Sequence, residues 1–93
     1  MARIDTHVTE QGDQYQVEVT VKERGSQTRH TVTVDKSDYG RLAGEKVSPG
    51  ELVEASFRFL LEREPKESIL RSFNLTVISR YFPEYEREIQ QRF

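Results

Sequence analysis

The chain has 93 residues, and its 14 Lys and Arg nearly balance its 16 Asp and Glu, so the formal net charge is −2; it contains no cysteine. This composition gives no reason to expect a surface built for phosphate or anionic lipid, and it excludes disulfides, thiolate metal sites and a cysteine nucleophile. The longest run of large apolar residues, Phe59-Leu60-Leu61, is far shorter than the ~20 residues of a membrane helix. We therefore expect a single soluble domain, residues 1–93, in the cytoplasm and without a membrane partner.

The clearest local pattern is the alternation of apolar and polar residues over 14–22, which predicts a half-buried strand. A second alternating run covers residues 28–35, and Gly25-Ser26 between the two fits a two-residue type II′ hairpin turn. This turn would place all the apolar side chains on one face, whereas a one-residue slip would scatter them. The predicted pairs are Tyr15 with Lys36, Val17 with Val34, Val19 with Val32 and Val21 with His30.

Upstream, Gly12-Asp13 can turn a first strand, residues 3–9, so that Ile4 faces Val21 and extends the apolar face. The prediction is an antiparallel meander of two to three strands over residues 3–35. On its other face Arg3, Lys22 and Arg29 would form a row of like charges, which is destabilising. Such a row either binds an anion or marks a frayed or solvated end of the sheet, and we favour the second interpretation.

After residue 35 the apolar spacing changes to that of helices. Ser37-Asp38 can cap a short helix that ends near Gly44, and Ser48-Pro49-Gly50-Glu51 combines a capping-box Ser and Glu with Pro at the first helical position. The predicted helices cover about residues 38–44, 49–63, 66–80 and 83–91. These elements define an α+β fold in which the N-terminal meander packs on a C-terminal layer of three to four helices, residues 37–92.

The residues available for catalysis or metal binding are few. The two histidines, His7 and His30, project to opposite faces of the predicted sheet, and His7 faces only one carboxylate, Glu18. There is no phosphate-binding Gly-rich loop, no G-x-S-x-G and no H-E-x-x-H motif. We therefore expect no enzymatic activity, no cofactor or metal site and no small-molecule substrate.

Two DNA-binding families share some of these patterns. Residues 66–82 resemble a helix-turn-helix, with Phe73-Asn74-Leu75 at the turn, but that family prefers a small residue where Leu70 stands and a glycine where Asn74 stands, and Pro83 shortens the second helix. The alternative that the apolar residues of this segment complete the core explains more of them, and we favour it.

The second DNA-binding resemblance is to ribbon-helix-helix repressors. It depends on a strand with alternating Arg29, Thr31 and Thr33, a short helix over about residues 38–43 and the capped helix SPGELVEASFRFLLER. In that family the strand pairs with its twin across a dimer and reads the major groove. Here the strand already has a predicted partner within the chain, and the net charge of −2 offers little general attraction to phosphate.

A third resemblance covers about half the chain. Residues 48–89, with LLEREPKESIL followed by FNLTVISRYFPEYEREI, resemble a family of small bacterial proteins whose function is not known. The resemblance implies a bacterial cytosolic origin and a compact α+β fold. It implies no activity and no catalytic residues.

Our first functional hypothesis is a non-catalytic module that binds another protein or a second copy of itself, because the C-terminal third has more large aromatic residues than a small domain easily buries. The candidate contact residues are Tyr81, Phe82, Tyr85 and Phe93. The alternative is a DNA-binding regulator or antitoxin-like protein that uses residues 28–82. Its candidate phosphate contacts are Arg63, Lys66, Arg71 and Arg80.

Overall fold

The computed structural model describes residues 2–93 and consists of a four-stranded sheet packed on helices. The strands are β1 (Arg3–Gln11), β2 (Gln14–Glu23), β3 (Ser26–Asp35) and β4 (Ser72–Asn74), in that order across the sheet. The helices are α1 (Lys36–Ala43), α2 (Pro49–Leu61), α3 (Val77–Tyr81) and α4 (Tyr85–Gln90), with a short 3₁₀ helix at Lys66–Ser68. The predicted α+β class is confirmed. The sheet is mixed, however, because β4 runs parallel to β3.

The first hairpin has the predicted register. Ile4 pairs with Val21, and Gly12, at a φ of 60°, begins the two-residue turn. β1 is paired along its whole length, so its end is not frayed. Arg3 does face Lys22, but Arg29 lies opposite Thr20, and the expected row of three cations therefore does not form.

In the second hairpin, the pairing of β2 with β3 is shifted by two residues from the predicted register. Arg24 and Gly25, with φ of 56° and 78°, occupy the turn, and two successive positive φ angles define a type I′ turn. Val19 consequently pairs with His30, not with Val32, which lies opposite Val17. A shift by an even number of residues leaves every side chain on its predicted face, and for this reason the alternation of apolar residues does not reveal it.

The capped start of α2 is confirmed, whereas α1 begins differently from the prediction. The Ser48 side chain accepts a hydrogen bond from the Glu51 N–H, and the Glu51 carboxylate accepts one from the Ser48 N–H. α1 has Asp35 at its N-cap, without a side-chain capping bond, and ends as predicted at Gly44 in a left-handed conformation.

The predicted helix over residues 66–80 is wrong. In its place the chain forms the 3₁₀ helix, then β4, then the five-residue α3. β4 pairs with Thr31, Val32 and Thr33, and the residues that flank it extend the contact: the Thr31 N–H donates to the Arg71 oxygen (2.7 Å) and the Leu75 N–H to the Thr33 oxygen (2.9 Å). A strand therefore occupies the edge of the sheet beyond β3.

The core lies between one face of the sheet and α2, with the C-terminal segment closing its remaining side. Val17, Val32 and Phe57 are fully buried there. α2 begins so close to β1 that a Cβ on Gly50 would lie 2.9 Å from the Thr6 Oγ1. Glycine at this position therefore allows the helix to approach the strand. Within residues 2–93, no helix is both long enough and apolar enough to span a bilayer.

Candidate protein-binding groove

An open groove of about 180 Å³ lies between the C-terminal end of α2 and the segment that follows it. Its floor includes the buried side chains of Leu60, Ile69 and Ile78. Leu70 and Tyr81 also line it, and these two side chains are 47% and 66% exposed. Large apolar side chains that surround a concave apolar surface are typical of a site that binds another molecule.

One acidic side chain, Glu64, lies in this groove. Burial raises the pKa of the Glu64 carboxyl above its ordinary value, and no neighbouring cation offsets this effect. Nothing in the described part of the chain forms an ion pair with it, although ten such pairs occur elsewhere. The groove therefore offers an apolar floor with one carboxylate that a cation could pair with.

His30 attaches the strand β3 to the loop that carries Leu70. Its Nδ1 lies 2.8 Å from the Leu70 carbonyl oxygen, so Nδ1 donates, and in the neutral ring Nε2 accepts from the Thr28 hydroxyl, also at 2.8 Å. Burial is the largest cause that lowers the pKa of His30, with a smaller contribution in the same direction from Arg71; the Leu70 hydrogen bond opposes both. The ring also packs edge-on against Phe57.

Asn74 sets the turn between β4 and α3, which carries Tyr81 to the groove. Its side-chain oxygen accepts hydrogen bonds from the N–H (3.1 Å) and hydroxyl (2.7 Å) of Thr76, and its amide donates to the Thr33 hydroxyl (3.1 Å). An Asx-type turn of this kind ends an extended segment without glycine. Local side-chain bonds therefore position the chain as it enters α3.

The four predicted aromatic contact residues have different environments. Tyr81 and Phe82 line the groove, and Phe82 also packs edge-on against Phe59. Phe93 is partly buried against the core. Tyr85 is fully buried, with its hydroxyl 2.7 Å from the Ser56 Oγ, and so offers no surface to a partner.

Arg63 and Lys66, two of the predicted phosphate contacts, are already engaged within the chain. The Arg63 guanidinium donates to Glu84 (3.3 Å) and Glu88 (3.2 Å) and lies over the Phe59 ring at 3.6 Å. Lys66 is buried and pairs with Glu67 at 2.7 Å.

The other two predicted phosphate contacts, Arg71 and Arg80, are exposed. The geometry of both DNA-binding resemblances is also absent from the described residues. Residues 66–82 do not form two α-helices joined by a turn. β3 pairs with β2 along its length and with β4 at Thr31, Val32 and Thr33, so this part of its edge is not free for the strand of a twin.

Sequence reasoning missed Leu60, Glu64, Ile69 and Leu70 as parts of one groove. Their spacing is that of ordinary core residues, and only the unusual size of Leu70 within the helix-turn-helix pattern singled out one of them.

For metal binding, residues 2–93 bring no three His, Asp or Glu side chains together. Comparison of the sequence and structure with family models, with curated proteins and with solved structures finds no match.

Proposed function

We propose that this protein is a non-catalytic module that binds a partner protein through the groove beside Leu70 and Tyr81. The observation that carries the proposal is the exposure of these two large apolar side chains beside a buried apolar floor. Exposing them to water costs free energy that docking of an apolar side chain would recover. An aromatic such as Tyr81 is also the residue type that most often contributes strongly to protein interfaces.

Glu64 indicates the chemistry of the partner segment. A carboxylate that is partly desolvated and has no cation beside it is stabilised when a Lys or Arg of a partner reaches it. The occupant is therefore a peptide segment that places an apolar side chain on the groove floor and a basic side chain next to it. A volume of about 180 Å³ suits one such side chain better than a whole small-molecule ligand, whose pockets usually measure ~300–1,000 Å³.

The test is a titration of the ¹⁵N-labelled protein with two blocked dipeptides, acetyl-Phe-Lys-amide and acetyl-Phe-Glu-amide, followed by amide chemical shifts. We expect weak binding of the lysine peptide, with a Kd on the order of 1 mM. Its shifts should be centred on residues 64–82, and the glutamate peptide should bind several-fold more weakly. Equal binding of both peptides, or shifts spread over the sheet, would contradict the proposal.

Two variants separate the charge from the apolar contact. Glu64→Gln should remove the preference for lysine while the apolar contact remains, and Tyr81→Ser should weaken both peptides. Glu45→Gln removes an exposed acid that does not line the groove and is the matched control. If Glu45→Gln abolishes the preference as well, then the net charge of the protein, not the groove, selects the peptide.

The DNA-binding alternative makes a distinct prediction in the same preparation. Arg71 and Arg80 would provide its phosphate contacts, so retention on heparin or duplex DNA at low salt should fall steeply as salt rises and should be lost in an Arg71→Ala, Arg80→Ala double variant. Retention that depends on salt in this way, without any response to the lysine peptide, would favour nucleic-acid binding over protein binding as the function.

A further inference from the structure

The outer edge of β1 is open along nine residues. The sheet order places β1 at one end, and no other strand within residues 2–93 pairs with that edge. The opposite edge differs, because β4 has only three residues. Natural sheets protect long edges with Lys, Pro, bulges or short strands. β1 contains neither Lys nor Pro, and its pairing with β2 runs without interruption from Arg3 to Gln11.

The hydrogen-bond pattern shows which backbone groups of β1 are free. At the far side of the sheet, Thr31 and Thr33 bond to the β4 segment, so odd-numbered residues of β3 point to β4 and even-numbered ones to β2. Antiparallel ladders alternate regularly, and the observed registers carry this pattern across β2 to β1. The N–H and C=O groups of Ile4, Thr6 and Val8 therefore point away from the sheet.

We infer that β1 pairs with β1 of a second copy of this chain, antiparallel and with Thr6 opposite its counterpart. This register places Ile4 opposite Val8 on the face that packs on α2, where Val8 is still 37% exposed. On the other face it places Asp5 opposite His7, once on each side of the two-fold axis. The result is one continuous eight-stranded sheet.

Neighbouring registers fit less well. Centring the pair on Asp5 places two aspartates directly opposite each other, and these like charges repel. Centring it on His7 places Ile4 opposite Glu10, which exposes an apolar side chain to a charged one. The pairing stops at Ala2, because the carbonyl oxygen of Ala2 already accepts a hydrogen bond from the Arg58 guanidinium at 3.3 Å.

This contact is independent of the groove proposed above, because β1 contributes no residue to the groove. As in other proteins that bind by strand addition, the backbone of β1 provides the affinity of this contact, and its alternate side chains set the register. A second copy is the occupant that the side chains of β1 favour, because the register pairs the Asp5 carboxylate with the His7 imidazole, which can hydrogen-bond, and Ile4 with Val8.

The first test is amide hydrogen exchange, resolved by residue, at low and high protein concentration. The N–H groups of Ile4, Thr6 and Val8 should exchange quickly in dilute protein and slow by about tenfold or more as the concentration rises. Those of Asp5 and His7, which bond to β2, should be protected at both concentrations. A chain that sediments as a monomer up to about 1 mM, with all three outward amides unprotected, would overturn the inference.

The second test exchanges the charges of the opposed pair. His7→Glu should weaken the dimer by about tenfold in sedimentation velocity, because it places two carboxylates opposite each other twice. Asp5→Lys should weaken it less, because it removes the carboxylate that faces His7. An equimolar mixture should recover dimerisation, since the new lysine of one chain then faces the new glutamate of the other. Unfolding curves at low concentration check that each variant folds.

Two other outcomes would also refute the pairing. If the mixture associates no better than its components, Asp5 does not face His7 in the dimer. If Tyr81→Ser dissociates the dimer while the β1 variants leave it intact, the second copy occupies the groove and not the strand edge. Loss of peptide binding in Tyr81→Ser with an unchanged dimer is the result expected if both proposals hold.

Discussion

The sheet and the segment after α2 are stabilised in different ways. β1, β2 and β3 pair over nine or ten residues each, and alternating valines bury one continuous face. Residues 62–93 instead form four elements of three to six residues, held by side chains such as Asn74, Arg63 and Tyr85. The repeated alternation of apolar and polar residues specifies the sheet, whereas individual side-chain contacts specify the C-terminal segment. Single substitutions should therefore be costlier in the segment and milder in the sheet.

The largest expected effect is at Tyr85, the anchor of α4. Its buried ring packs against Phe59 at 5.3 Å, and its hydroxyl bonds to Ser56, whose own hydroxyl donates to the Leu52 carbonyl. Tyr85→Ala should lower the free energy of unfolding by about 3–5 kcal/mol in urea denaturation. Tyr85→Phe, which removes only the hydroxyl, should cost about 1 kcal/mol. Equal losses in the two variants would show that the ring does not anchor the helix.

The second effect tests the junction between the sheet and α2. Gly50→Ala forces a methyl group to within 2.9 Å of Thr6 and 3.3 Å of Val8, and such overpacking costs about 1–3 kcal/mol. Gly40→Ala in α1 is the matched control, because nothing lies within 4 Å of its Cβ; it should stabilise the protein by up to about 1 kcal/mol. If both variants are stabilised, α2 does not depend on close approach to β1.

The third effect concerns His30, where the sheet meets the C-terminal segment. The folded-state pKa of His30 is lowered, mainly by burial, so the unfolded chain binds its proton more tightly than the folded protein does. The contribution of His30 to the free energy of unfolding is fully present above about pH 6.5, the pKa of an unfolded histidine. It decreases as the pH falls below that value toward the folded-state pKa. His30→Gln should flatten this part of the curve of unfolding free energy against pH.

The smallest effect is expected within the sheet itself, at the type I′ turn. Arg24 has a φ of 56°, which an Asn tolerates better, and Asn-Gly is a favoured pair for this turn. Arg24→Asn should raise the free energy of unfolding by up to about 1 kcal/mol. No gain at all would indicate that residue 24 lies outside the turn, as the originally predicted Gly25-Ser26 turn would require.

The same contrast explains what the sequence could predict. The first hairpin and the start of α2 follow from local rules, since Gly12 begins a tight turn and Ser48 with Glu51 forms a capping box. The second turn was predicted wrongly at Gly25-Ser26, because an arginine in a left-handed conformation carries no signal in the sequence and an even shift keeps every side chain on its predicted face. The apolar periodicity predicted correctly which residues are buried, but it did not distinguish between the two registers that place them on the same face.

The groove was beyond local rules for a different reason. Ile69 and Phe73 have a spacing that suits a helix, and only the pairing of residues 72–74 with β3, some forty residues away, makes that part of the segment extended. Long-range contacts override such weak local preferences. Tyr81 and Phe82 were identified as candidates because they are aromatic. Glu64 was not, because a single acidic residue before a proline looks like a solvated one.

The parallel pairing of β4 with β3 also determines an order of events during folding. The two hairpins close short loops, whereas β4 reaches β3 only after residues 36–71 have been spanned, at a higher entropic cost. The hairpins and α2 should therefore assemble first, and β4 should dock late. Until it docks, the edge of β3 at Thr31, Val32 and Thr33 is unpaired, so any delay in folding of the last third would leave this edge open to a strand of another chain.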